Sequence, residues 1–213
     1  MSGTGIARRT IVIAGGGPVG LSVASLLGLS PRADDLDIRL FEPREAPVWE
    51  ADRVDLRVYA LSRASQIVLE NLGSWAAVHA ARAAPYRRMH VWQGECGARL
   101  GSLTFDSAEV GEPDLGHIVE DSLLRTRLTN VSHQAGVELT FGVELTAVEV
   151  RDRSVEITTS EGETLSAVAL IAADGSGSTV RELLKLPISS VSYAQRALVT
   201  HVGTERSHGD TAW

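Results

Sequence analysis

The densest chemical signal in the chain is Gly15-x-Gly17-x-x-Gly20, with Pro18 and Val19 filling the second gap. In such a turn the first glycine permits a tight bend and the second lets a pyrophosphate approach the backbone. The third lets the following helix pack close to the preceding strand. Glu42 stands twenty-two residues after Gly20. A carboxylate at that distance accepts hydrogen bonds from the 2′- and 3′-hydroxyls of an adenosine ribose and repels a 2′-phosphate, so the pair selects FAD or NAD over NADP. Arg44, two residues on, softens that exclusion. A second group lies far along the chain at Asp174-Gly175-x-x-Ser178-x-x-Arg181, which taken alone reads as a turn followed by a solvated helical arginine. His90, His117, His133 and His208 have no metal-ligand spacing and no paired carboxylates stand out, so no metal is expected.

The elements around these residues follow from local pattern. Thr10–Ala14 is a short β-branched run, predicted as a buried strand, and the glycine turn feeds a small-residue helix over Leu21–Leu27. Pro31 and the acids of Leu29–Asp37 end that helix in a solvated loop, and Ile38–Phe41 forms a second strand ending at Glu42. Strand, helix and strand make a βαβ unit with parallel strands. Downstream, Ser62 is a candidate N-cap for a helix stopped by Gly73. Tyr86–Gln93 and Leu100–Phe105 are expected to open a second sheet. An amphipathic helix is predicted over Glu120–Ala135, with its apolar line at Leu124, Leu128 and Val131, closing at Gly136. Strands are then expected at Val137–Phe141, Leu145–Arg151 and Val155–Thr159, with a turn at Asp152–Ser154. Ala167–Ala172 is a continuous apolar run, as for a strand covered on both faces, and a short helix begins near Ser178.

Composition bounds the function. The 213 residues are 44% hydrophobic and 22% charged, with a net charge of -7, which leaves no basic footprint for nucleic acid. Cys96 is the single cysteine, so no intrachain disulfide forms and a reducing compartment suits the chain. The uncharged stretch from Ile11 to Ser30 has the length of a membrane span. Gly15, Gly16, Gly17, Pro18 and Gly20 would interrupt a spanning helix, and strand, turn and helix account for it better.

On the glycine and Asp-Gly motifs together, the chain resembles the N-terminal part of the class A FAD-dependent aromatic monooxygenases, the group typified by p-hydroxybenzoate hydroxylase. Asp55–Ser65, Leu72-Gly73-Ser74-Trp75, Tyr86-x-x-Met89-x-Val91-Trp92, Gly116–Asp121 and Thr211-Ala212-Trp213 resemble ubiquinone-biosynthesis hydroxylases in particular. The resemblance implies an α/β fold, with a Rossmann-like FAD-binding domain of the glutathione reductase type over 1–85 and 116–185. Part of an inserted β-sheet substrate domain is implied over 86–115 and 186–213. It implies that Gly15, Gly17, Pro18, Val19, Gly20 and Glu42 hold the ADP half of FAD, with Asp174, Gly175, Ser178 and Arg181 close to the pyrophosphate. Arg57 is placed near the flavin cofactor, against the plain alternative of a surface or ion-paired arginine. Glu120 departs from the Arg or Gln common in the wider group, although the ubiquinone branch often has Glu there.

By the same resemblance, NAD(P)H is the electron donor, the substrate is a polyprenyl phenol and no nucleophilic side chain is needed. The site of action is cytoplasmic, with peripheral contact at the inner membrane and partners in a ubiquinone-biosynthesis complex. The family's third motif, a Gly-Asp-Ala-Ala-His-like segment, has no match, because Gly209-Asp210 continues into Thr211-Ala212-Trp213. The sequence is therefore expected to cover about the first half of such an enzyme. Two alternatives stay open: another FAD enzyme on the same scaffold, such as a halogenase or an isoprenoid reductase, and a noncatalytic nucleotide-binding fragment.

Overall fold

The computed structural model describes residues 8–93 and 101–213. Cys96 and Leu100, the latter at the start of an expected strand, lie outside the described residues. The chain divides into two compact units, Met1–Trp49 with Arg125–Gln195 and Glu50–Leu124 with Arg196–Trp213. Glu50–Leu124 belongs to the second of these compact units.

The first unit begins with β1 (Arg9–Ala14), α1 (Pro18–Gly28) and β2 (Leu36–Glu42). The strands are parallel, with Ala14 opposite Phe41. Helix α1 starts three residues before the predicted Leu21: Pro18 occupies its first turn, where φ is preset and the missing N–H costs nothing. After α4 (Asp121–Gln134) come β8 (Glu138–Phe141), β9 (Leu145–Val150) and β10 (Val155–Thr159). Then follow β11 (Thr164–Ala167), β12 (Ala169–Ala172) and α5 (Thr179–Leu183). One sheet has the order β12-β1-β2-β8, and β9, β10 and β11 form an antiparallel meander. The turn predicted at Asp152–Ser154 closes the first of its hairpins through the Arg151 N–H and the Ser154 carbonyl, 2.8 Å apart.

Ala167–Ala172 is not the single doubly covered strand that its apolar run suggested. Ala167 pairs with Val155 in the meander, Val168 donates its N–H to the Thr10 carbonyl at 2.9 Å, and Ala169–Ala172 joins β1 in the parallel sheet. Strand β12 lies at the end of that sheet's order and is partly exposed. Continuous hydrophobicity reports burial without saying against which sheet, so two strands in sequence read as one. A core of Val12, Ala14, Phe41, Val143, Leu145, Ile157, Ala167 and Val180 fills the space between the sheet, the meander and α5.

On α1, Ser25 shares a 2.8 Å hydrogen bond with Ser132, and both are fully buried. Gly28 lies where a Cβ would stand 2.6 Å from the Ala135 carbonyl oxygen. Small residues thus bring α1 and the second half of α4 into close contact, which buries Leu21, Ala24 and Leu128 completely.

The second unit holds β3 (Val58–Ser62), α2 (Arg63–Asn71), α3 (Trp75–Arg82) and β4 (Ala83–Tyr86). It continues with β5 (Arg88–Trp92), β6 (Ser102–Asp106) and β7 (Gly116–Glu120), and ends with β13 (Thr211–Ala212). Its sheets have the orders β3-β7-β4 and β13-β5-β6. The strand expected over Tyr86–Gln93 is broken at Arg87, so that Tyr86 pairs with Gly116 and Arg88 with Asp106. Ser62 does cap α2, accepting the Ser65 N–H at 3.3 Å, and Gly73 follows at a positive φ of 73°. Trp75 packs edge-on against the buried His117 at 4.9 Å between ring centroids.

The centre of the parallel sheet sets the stability of the first unit. Leu40 in β2 is fully buried. Leu40→Ala is expected to destabilise that unit by about 2–5 kcal/mol, read as a lower urea midpoint.

Candidate functional site

Parallel pairing brings three strand ends together. Ala14 lies opposite Ala172 on one side and Phe41 on the other, so β1 sits between two crossovers at the carboxyl edge of its sheet. In open α/β sheets ligands bind at such a switch point. Gly15 donates its N–H to the Phe41 carbonyl and Ala173 donates to the Ala14 carbonyl, both at 2.8 Å.

The glycines are required by contact. Gly15 has φ of 104°, and a Cβ there would stand 2.5 Å from the Ala173 carbonyl oxygen and 2.8 Å from the Asp174 Cα. A Cβ on Gly20 would overlap the Gly15 carbonyl oxygen. Gly17 is different: its φ is an ordinary -76° and nothing lies within 4 Å of its Cβ position. The backbone is therefore open at the N-cap of α1, where no side chain caps the helix, Pro18 occupies the first turn and Val19 is exposed. Uncapped N–H groups at a helix start suit an anion.

Glu42 is 3% exposed at the end of β2. Its Oε2 accepts the Gly16 N–H at 2.6 Å, and its Oε1 accepts the Arg44 N–H at 3.1 Å and the Arg44 Nε at 2.6 Å. Burial works to raise its pKa. The Arg44 guanidinium and the Gly16 and Arg44 backbone N–H groups outweigh burial and hold it below the ordinary glutamate value. A ribose hydroxyl reaching Glu42 must share the carboxylate with Arg44 or displace that exposed guanidinium.

The Asp-Gly segment builds its own turn. Asp174 accepts the Val180 N–H and Ser178 accepts the Arg181 N–H, each at 3.0 Å, which caps α5 twice. The Arg181 guanidinium reaches back to the Ser176 carbonyl at 2.8 Å, and Gly175 has φ of 86° with open space where a Cβ would be. Arg181 and Ser178 also edge an apolar cavity with Val148, Leu170, Val180 and Leu184.

Arg57 belongs to the second unit, unlike the residues of the glycine and Asp-Gly motifs. Its guanidinium lies over the Tyr59 ring at 5.5 Å, with its Nε 3.9 Å from Asp121, to which Tyr59 donates at 2.7 Å. Also in that unit, Glu120 is buried and accepts the Asp55 N–H at 3.0 Å and Arg82 at 2.9 Å. Sequence reasoning passed over Arg125. This arginine is 7% exposed on α4, and its Nε donates to the Gly16 carbonyl at 3.0 Å. Its signal in the sequence is the spacing Arg125, Thr129, Ser132, a polar stripe beside the apolar line that is itself buried.

The residues present fit the ADP half of a dinucleotide: an open backbone at Gly17, a buried carboxylate one strand away, and a second turn in contact with the first. A family model described as FAD binding domain matches residues 8–208. The chain is 34% identical to the 3-demethoxyubiquinol 3-hydroxylase of Escherichia coli (strain K12), covering 95% of this chain and 50% of that protein. It is 30% identical to the mitochondrial ubiquinone biosynthesis monooxygenase COQ6 of Homo sapiens, covering 95% and 45%. The chain thus spans about half the length of these relatives. Among solved structures, the flavin-dependent monooxygenase PieE, in complex with FAD and substrate, superposes with a TM-score of 0.66 at 21% identity, over 86% of this chain and 33% of that one. At that identity the likeness is one of fold.

The Glu42 carboxyl has a folded pKa below its unfolded one, so its stabilising contribution is complete above the ordinary value and disappears as pH falls through the folded value. The stability advantage of the protein over Glu42→Gln is expected to shrink between about pH 5 and pH 3. Urea unfolding across that range reads it, and a gap that does not change with pH contradicts the assignment.

Proposed function

Because the chain belongs to the FAD binding domain family, we propose that its first unit holds the ADP half of FAD within a monooxygenase that hydroxylates a polyprenyl phenol in ubiquinone biosynthesis. The observation that carries the cofactor reading is the contact of the two turns, with Gly15 and Asp174 so close that a Cβ would separate them. The named activities of the relatives, a demethoxyubiquinol hydroxylase and a ubiquinone biosynthesis monooxygenase, support the substrate class. The domain limits proposed for the cofactor, 1–85 with 116–185, extend beyond the compact first unit.

FAD, when bound, supplies the redox chemistry by which NAD(P)H and O₂ place one oxygen atom on a phenol ring and release the other as water. The chain's own residues bind and orient. Gly17 leaves room for the diphosphate beside the first N–H groups of α1, where Pro18 and Val19 follow. Glu42 accepts the ribose hydroxyls in exchange for Arg44. Asp174, Gly175, Ser178 and Arg181 supply the second turn, and Arg57 is a further cofactor contact on the resemblance alone. No helix among the described residues is long and apolar enough to cross a membrane. A polyprenyl substrate nevertheless partitions into lipid, so peripheral contact with the inner membrane and with other enzymes of the pathway belongs to the same proposal.

Gly17→Val tests it cleanly, since the backbone there is ordinary and an added Cβ meets no atom within 4 Å beyond its chain neighbours. The purified chain is expected to quench flavin fluorescence on titration with FAD, and the variant to fold normally but bind at least about tenfold more weakly. Equal affinity, or binding of NAD without FAD, overturns the reading.

A further inference from the structure

Gly16 is gripped from both sides by buried ionised groups. Its N–H donates to the Glu42 carboxylate at 2.6 Å, and its carbonyl accepts from Arg125 Nε at 3.0 Å. The two residues are 3% and 7% exposed. Burying a guanidinium costs several kcal/mol unless its N–H groups are bonded, and one of the bonds that Arg125 makes is to the glycine turn itself. The peptide linking Gly16 to Gly17 is not cis. In a trans peptide the C=O and the N–H point in opposite directions. By holding the Gly16 carbonyl, Arg125 turns the Gly17 N–H away from itself, at the residue where the backbone is open.

We propose that Arg125 is a positioning residue for the diphosphate: it fixes the Gly16–Gly17 peptide with its N–H presented to the ligand, and it places a buried positive charge under that anion. This rests on the diphosphate reading of the turn. Arg125 acts through Gly16 and needs no contact with the ligand, so its effect depends on ligand charge. Glu42 opposes it on the neighbouring peptide, and together they stop the turn from rotating.

The test compares a ligand with phosphates against one without. In the full chain, Arg125→Met is expected to bind FAD and ADP about tenfold more weakly or worse, with adenosine affinity changed less than about twofold. Arg125→Lys, which keeps the charge, recovers part of the ADP affinity. Should Arg125→Met fail to fold, Arg125→Ala with millimolar guanidinium gives the same reading: restored ADP binding, matched by no effect of equimolar KCl, supports the proposal. Equal losses for ADP and adenosine, or no loss, or rescue by KCl, overturns it while leaving the cofactor reading standing. If the unsubstituted chain binds neither FAD nor ADP, the cofactor reading falls and this inference with it.

Discussion

The close approach of three backbone segments, at Ala14–Gly16, at Gly20 and at Ala173–Asp174, is the constraint on which the rest of the first unit depends. Side chains at Gly15 or Gly20 would collide with main-chain atoms, which cannot rotate away as a flexible side chain can. With none there, α1 descends directly off the end of β1, and the same closeness continues along the helix through Ser25 and Gly28 against α4. The compact turn and the tight pair of helices are one packing solution. It also leaves α1 with no side-chain cap at its N-terminus, so the same small residues that permit the packing leave the helix start open.

Electrostatics then finishes what packing begins. The turn lies between a buried acid on β2 and a buried base on α4, each spending its charge on the two peptides flanking Gly16. Neither is exposed enough to be weakened much by solvent. The Asp-Gly turn works differently: its polar groups are mostly occupied in capping α5, so what it contributes is a fixed shape close to Gly15. A rigid scaffold around an open backbone is what binding of an extended anionic cofactor requires.

Much of this could be read in the chain beforehand, and for physical reasons. The βαβ unit announced itself because β-branched residues, a glycine turn and a small-residue helix follow one another without conflict among local preferences. Ser62 and Gly73 marked the ends of α2 through capping chemistry that operates within a few residues. The failures were non-local. The apolar run at Ala167–Ala172 does not say which sheet covers it, and the break at Arg87 depends on which partner strand each half finds. Spacing brought Arg44 to notice beside Glu42 but not its bond to that carboxylate, and Arg125 beneath Gly16 was invisible to motif spacing, because its bond reaches a residue 109 positions away. Only the buried polar stripe of α4 hinted at the second, and a stripe of that kind normally faces water.

The change of sheet at Val168 has an evolutionary corollary. One residue separates a strand of the meander from a strand of the parallel sheet, and its N–H is already committed to Thr10. An inserted or deleted residue there would turn every side chain of Ala169–Ala172 to the opposite face and drag Ala173 off its bond to Ala14. Length variation among related chains should therefore collect in the hairpin at Asp152–Ser154, where the meander can grow without disturbing the turn that meets Gly15.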